Sequence, residues 1–118
     1  MKNMLRTVLV MAALASVVWT APDAHGAADA EAATALARQN KCLNCHAVGK
    51  EKEGPPYKKV AERYLGKPKA HATVLKHITS GDKVKFLDGH EEEHKVVVTT
   101  PPGDMDQIKN LVAWILEQ

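Results

Sequence analysis

The sequence predicts an all-α fold: one small domain of about four helices, with room for one short hairpin between residues 83 and 98. Three observations carry this. Apolar residues recur at helical spacing in separate stretches, and Gly, Pro or Asp punctuate the joins. No stretch shows the alternating strands of a sheet protein, and there are no internal repeats. The chain is short, 118 residues, so one domain is the prior.

The N-terminus reads as a leader. Lys2 and Arg6 precede an apolar run from Thr7 to Trp19, and small residues follow at Ala21, Ala24, Gly26, Ala27 and Ala28. This is the layout of a cleavable secretory signal peptide over residues 1–26. The run is too short for a comfortable membrane span of about 20 apolar residues, which weighs against an uncleaved anchor. The remainder, 27–118, is the expected domain.

From Asp29 to Asn40 the chain is Ala-rich and unbroken, with Asp29 placed to cap a helix and Arg38 near its end. The stretch KCLNCHA follows directly. Residues 49–56 read as a loop. A second helix is expected over Tyr57–Leu65, with Val60, Ala61, Tyr64 and Leu65 on one face and Gly66 as its left-handed stop. A third runs from Ala70 to Ser80, with Val74, Leu75 and Ile78 as its buried stripe and Gly81 closing it. Asp88-Gly89 is a turn signal, the acidic run Glu91–Glu93 reads as a solvated loop, and Val96–Val98 as a short extended piece. The last helix begins at Gly103 or Asp104, and Ile108, Leu111, Val112 and Ile115 keep helical spacing.

The net charge is only +2, so nothing argues for a nucleic-acid partner. Lys41, Lys50, Lys52, Lys58 and Lys59 cluster near the cysteines, either as a solvated face or as a docking patch for an acidic redox partner. Beyond Trp19 the aromatics are Tyr57, Tyr64, Phe86 and Trp114. A domain so short struggles to bury enough apolar surface unaided; it calls for a staple, a metal or an apolar guest.

Cys42 and Cys45 are the only cysteines, and His46 follows the second. Two thiols at this spacing can add across the two vinyl groups of a haem, and the next residue, a histidine, is placed to bind the iron. C-x-x-C-H is the attachment signature of a c-type haem. A thioredoxin-like dithiol would follow a strand in a βαβ setting, whereas this motif follows a helix. A zinc site would need two more ligands at recognisable spacing, and a disulfide across so short a loop would stabilise little.

With that motif placed, the chain resembles class I cytochrome c of the short bacterial monohaem type. The matching stretches are the N-terminal helix running into NKCLNCHAVGK, the loop GPPYKKVAERYLG and the terminal LVAWILEQ. The resemblance implies a cytochrome c fold around one covalent haem c. Cys42 and Cys45 form the thioethers, His46 is the proximal iron ligand, and the Pro55 carbonyl accepts a bond from the His46 ring. Trp114 and Leu111 pack the last helix on the first near Ala33 and Ala37.

The family's second iron ligand is usually a methionine just before a Pro pair. Here Thr100 stands in that place, before Pro101-Pro102. Met105 lies closer to Trp114 than the family pattern expects, in the first turn of a helix capped by Asp104. His94 and His90 lie in the loop before the Pro pair, and neutral imidazole is a good haem ligand. The sixth ligand is therefore Met105 or His94, with His90 or an open site behind them. His71 and His77 fall on the third helix, as exposed or pocket residues. The implied function is a periplasmic electron carrier, not an enzyme, moving single electrons between redox protein partners and meeting membranes only by transient docking. Two alternatives stand beside it: a haem protein whose open or labile sixth site binds a small gas, and an electron-transfer subunit docked to a periplasmic oxidoreductase.

Overall fold

A computed structural model of the chain describes residues 26–118; the expected leader, Gly26 apart, lies outside the described residues. Four α-helices form the frame: α1 Ala30–Gln39, α2 Tyr57–Tyr64, α3 Ala70–Ser80 and α4 Met105–Leu116. A 3-10 turn, Cys42–Asn44, follows α1, and a two-stranded antiparallel hairpin, β1 Lys83–Lys85 with β2 Glu91–Glu93, lies between α3 and α4.

The starts of α1 and α4 are set by side chains. The Asp29 carboxylate accepts the Ala32 N–H at 3.0 Å. Asp104 accepts those of Asp106 and Gln107, each at 3.1 Å. Each bond satisfies an amide that has no partner inside its helix. Helices α1 and α4 pack together because Ala33 and Ala37 are 0% exposed and let the α4 side chains approach the α1 backbone. Leu36, Ile108, Leu111, Val112, Trp114 and Ile115 share that core. Burying each of the large aliphatic ones is worth about 1.5–3 kcal/mol. Two reciprocal bonds tie the start of α1 to the middle of α4: the Asp29 N–H donates to Asn110 Oδ1 at 2.8 Å, and Asn110 Nδ2 donates to the Asp29 carbonyl at 2.9 Å.

Helix α2 starts at the end of the Pro pair, where the amides of Tyr57 and Lys58 donate to the Ala47 and Val48 carbonyls at 2.9 Å each. Its end differs from the expectation. The helix stops at Tyr64, and Leu65 (φ −54°, ψ 126°) turns out of it and is 84% exposed. Gly66 follows in the left-handed region at φ 70°. Helix α3 keeps its predicted span and stops at Gly81, also φ 70°. Val74 and Ile78 are buried on it, while Leu75 is half-buried.

The acidic run is a strand and not a loop. Lys83 pairs across from Glu93 and Lys85 from Glu91, so opposite charges meet on neighbouring strands. Val96–Val98 forms no strand. Burial there alternates, with Val97 and Thr99 inside and Val96 and Val98 outside, as an extended backbone requires. The backbone partners lie elsewhere: the Val97 N–H donates to Ile78 and the His94 N–H to Asp82, both at 2.9 Å.

Candidate haem site

The site is built on a sharp change of direction after α1. Lys41 takes a left-handed conformation (φ 57°), and the chain closes into a tight turn. The amides of Cys45 and His46 both donate to the Cys42 carbonyl, at 3.3 and 3.0 Å. That turn puts Cys42 and Cys45 on the wall of one cavity, with His46 beside them. Neither thiol is in a disulfide. Burial raises the pKa of both, and the neighbouring Glu53 carboxylate adds to the rise at Cys45.

His46 is held from three sides. Its Nδ1–H donates to the Pro55 carbonyl at 2.8 Å. Tyr57 stacks on the ring at 5.2 Å between centroids and 19° between planes, and Trp114 meets Tyr57 edge-on at 5.5 Å. Gly54 runs so close that a Cβ there would lie 2.8 Å from His46 Nδ1. Burial lowers the His46 pKa, the Pro55 bond opposing it, so the imidazole is neutral at pH 7 with Nε2 as its free lone pair. The Pro55 contact fixes both ring orientation and tautomer.

The cavity has a volume of about 360 Å³, within the range of cofactor pockets. Val74, Ile78, Val97, Leu111 and Ile115 give it an apolar lining. Lys41, Arg63, Lys85 and Lys95 lie around it, with Glu53, Glu92 and Glu93. Of the lysines noted in the sequence, Lys59 pairs with Glu51 at 3.1 Å and Lys52 donates to the Leu43 carbonyl at 2.6 Å. The cluster is thus partly engaged within the chain.

Two further histidines line the cavity, His77 and His94. The His94 ring lies 6.2 Å from His46 between centroids, and 4.4 Å from His77. Its Nδ1–H donates to the Lys95 carbonyl at 2.9 Å, which leaves Nε2 as the lone pair, as at His46. Burial and the neighbouring His94 lower the His77 pKa. Met105 is not among the cavity residues. It occupies the first position of α4 and is 42% exposed. His90 sits at the hairpin end, stacked on Phe86 at 4.3 Å and bonded to Asp88 and Glu92.

The arrangement fits a haem tethered by two thioethers. An apolar chamber carries two thiols on one turn, an oriented neutral imidazole beside them and a second oriented imidazole 6.2 Å from the first. Two metal–nitrogen bonds of about 2 Å each, plus the half-width of each ring, separate two imidazoles on one metal by roughly 6 Å between centres. The observed separation is of that size. The cytochrome c family model matches residues 30–118, nearly all of the described chain. The chain belongs to the cytochrome c family. As in that family, it binds one covalent haem c and carries electrons.

Relatives of this cytochrome agree. Cytochrome c-551 of Pseudomonas aeruginosa is 28% identical over 91 residues, 75% of this chain and 79% of that protein. Among solved structures, class 1 cytochrome MtoD from Sideroxydans lithotrophicus ES-1 superposes with a TM-score of 0.72 at 56% identity. That match covers 77% of this chain and 97% of the other. Cytochrome c552 of Nitrosomonas europaea gives 0.56 at 27% identity, covering 71% and 96%.

The sequence reading had no signal for Tyr57 or Asn40 in this site. Tyr57 reads as the first residue of a helix and Asn40 as a helix end. Their roles depend on segments far away in the chain.

Proposed function

We propose that this chain is an exported, periplasmic one-electron carrier and not an enzyme. In this reading Cys42 and Cys45 would hold haem c by thioethers, and the imidazoles of His46 and His94 would bind its iron. The observation that carries the ligand assignment is the pair of Nδ1-anchored imidazoles, 6.2 Å apart across the cavity, with Met105 outside it. Bound there, the haem supplies a one-electron couple at its iron. The chain's own residues do the rest. Pro55 and the Lys95 carbonyl orient the two imidazoles, Tyr57 and Trp114 buttress His46, and the apolar lining keeps water away. If His46 and His94 both bound the iron, no position would be left for a gas or a substrate, which would disfavour the gas-binding alternative. Electron donor and acceptor proteins meet the site by transient docking, and the mature domain begins after Gly26.

Visible and electron paramagnetic resonance spectra of the oxidised holoprotein test the ligand assignment. The expected spectrum is low-spin, with no band near 695 nm of the kind Met–iron bonding gives. His94→Ala is expected to turn high-spin and take up carbon monoxide when reduced, while Met105→Ala leaves the spectrum unchanged. The opposite pattern would sink the assignment. N-terminal sequencing of the periplasmic protein tests export, and a start far from Ala27 or recovery only from the cytoplasm counts against it.

A further inference from the structure

We infer that Asn40 is a positioning residue. Its carboxamide latches the segment carrying His94 onto the haem-attachment turn, and so holds His94 in its axial place. The inference rests on the reading of His94 as an iron ligand.

Asn40 stands two residues before Cys42 and lines the cavity. Its side chain reaches a residue 58 positions downstream. Oδ1 accepts the Val98 N–H at 2.8 Å, and Nδ2 donates to the Val98 carbonyl at 3.0 Å. Nδ2 also donates to the Leu36 carbonyl at 3.0 Å, inside α1. Both amide hydrogens and the oxygen are therefore engaged. Only a side chain with a donor and an acceptor side by side can pair both ways with one residue's backbone. Aspartate lacks the donor, serine and threonine lack the reach, and leucine has the shape with neither function.

The other anchors of this segment point a different way. The His94 N–H donates to Asp82 and the Val97 N–H to Ile78, so both tie it to α3 and the residue run just after it. Asn40 bridges instead to the turn that bears Cys42, Cys45 and His46. His94 and Val98 are four residues apart, a span of at most about 14 Å, so the latch acts on a short lever. One side chain thus couples the attachment turn on one side of the cavity to the imidazole on the other. A helix C-cap alone would explain the Leu36 bond, but not the two bonds to Val98.

The test is uptake of added imidazole by the oxidised holoprotein, followed in the visible spectrum, which reports how readily His94 leaves the iron. Asn40→Leu removes both Val98 bonds and is expected to raise the uptake affinity roughly 10- to 30-fold. Asn40→Asp keeps the acceptor and is expected to fall between the two. Thermal midpoints are measured alongside. A lowered midpoint with imidazole affinity unchanged would mean that Asn40 only stabilises α1, and the inference is then wrong. His94→Ala separates the two levels. If it stays low-spin and six-coordinate, the ligand reading has failed; if it opens while Asn40→Leu behaves like the unaltered protein, the latch has failed. Should neither Asn40 variant accumulate with haem, amide exchange in the unaltered holoprotein decides. The Val98 amide is expected to exchange at least tenfold more slowly than that of Val96, and equal rates overturn the latch.

Discussion

At Gly54 the chain passes so near the His46 ring that the missing Cβ is itself a structural feature. A methyl there would sit 2.8 Å from Nδ1 and 2.9 Å from Nε2 of the ring, inside ordinary contact distance. Gly54→Ala must push either the ring or the loop that carries Pro55, and a shift of one against the other strains the His46–Pro55 bond. Crowding of this kind costs about 1–3 kcal/mol, and loss of the bond adds about 1 kcal/mol. Guanidinium denaturation of the holoprotein should show a total loss of about 2–4 kcal/mol; an unchanged midpoint would mean that the loop yields freely. The haem-attachment motif was legible because it is local: five consecutive residues, Cys42 to His46, carry both thiols and the imidazole. The sequence left the sixth position open. Thr100 in place of a methionine left Met105, His94, His90 or an open site as readings of the sixth position, and the path of the chain, which brings the His94 ring 6.2 Å from that of His46, is what favours His94 in the proposal. The Asp104 cap starts α4 at Met105, which is 42% exposed and not among the cavity-lining residues, and this supports the proposal of His94.

The helices bounded by a local signal, an aspartate cap or a left-handed glycine, were those read most closely from sequence. Asp29, Gly81 and Asp104 each end or start a helix by a local bond or a local φ. Replacing Asp104 with alanine removes two such bonds and should cost about 1 kcal/mol, a fall in melting temperature of about 4–8 °C for a domain of this size. A shift under 1 °C would show that Gln107, which also donates to the Thr100 carbonyl at 3.1 Å, holds the turn alone. The hairpin was read less well, because its pairing depends on lysines and glutamates meeting across strands and not on apolar alternation. Its end carries a titration. The Asp88 hydrogen bond, with Glu92 beyond it, raises the pKa of His90, and bonds from His90 lower that of Asp88. A raised histidine stabilises the fold below its ordinary pKa of about 6.5, and that contribution is lost as pH rises through the folded value. The lowered aspartate acts above its ordinary value of about 3.9 and is lost as pH falls through its folded value. The pair therefore favours the hairpin most in mildly acidic solution. Proton NMR should place His90 above 6.5, and Asp88→Asn should bring it down; a His90 pKa at or below 6.5 in the unaltered protein contradicts the arrangement.

The whole molecule is organised around a space. Helices α1 and α4 make a tight apolar pair, but residues of α2, α3 and the 94–98 segment face a cavity of about 360 Å³ instead of one another. Val74, Ile78, Val97, Leu111 and Ile115 belong both to the core and to the cavity wall. Without a guest their inward faces meet water or an energetically costly void. A domain of this length has only a few kcal/mol to lose. The haem is therefore a structural member as well as a redox centre, and removing it should change folding and not only colour. Protein with Cys42→Ala and Cys45→Ala, produced without haem attachment, is expected to keep part of its helical far-ultraviolet circular dichroism. It should lose a cooperative thermal transition and bind a hydrophobic dye such as ANS, the behaviour of a compact state without fixed packing. Because the α1–α4 pair has its own contacts, the residual helicity should reside there, and hydrogen exchange should protect Leu36 and Leu111 above Val74 and Ile78. A cooperative transition within a few degrees of the holoprotein's would show instead that the four helices close over the space unaided. Uniform protection across all four helices would point the same way.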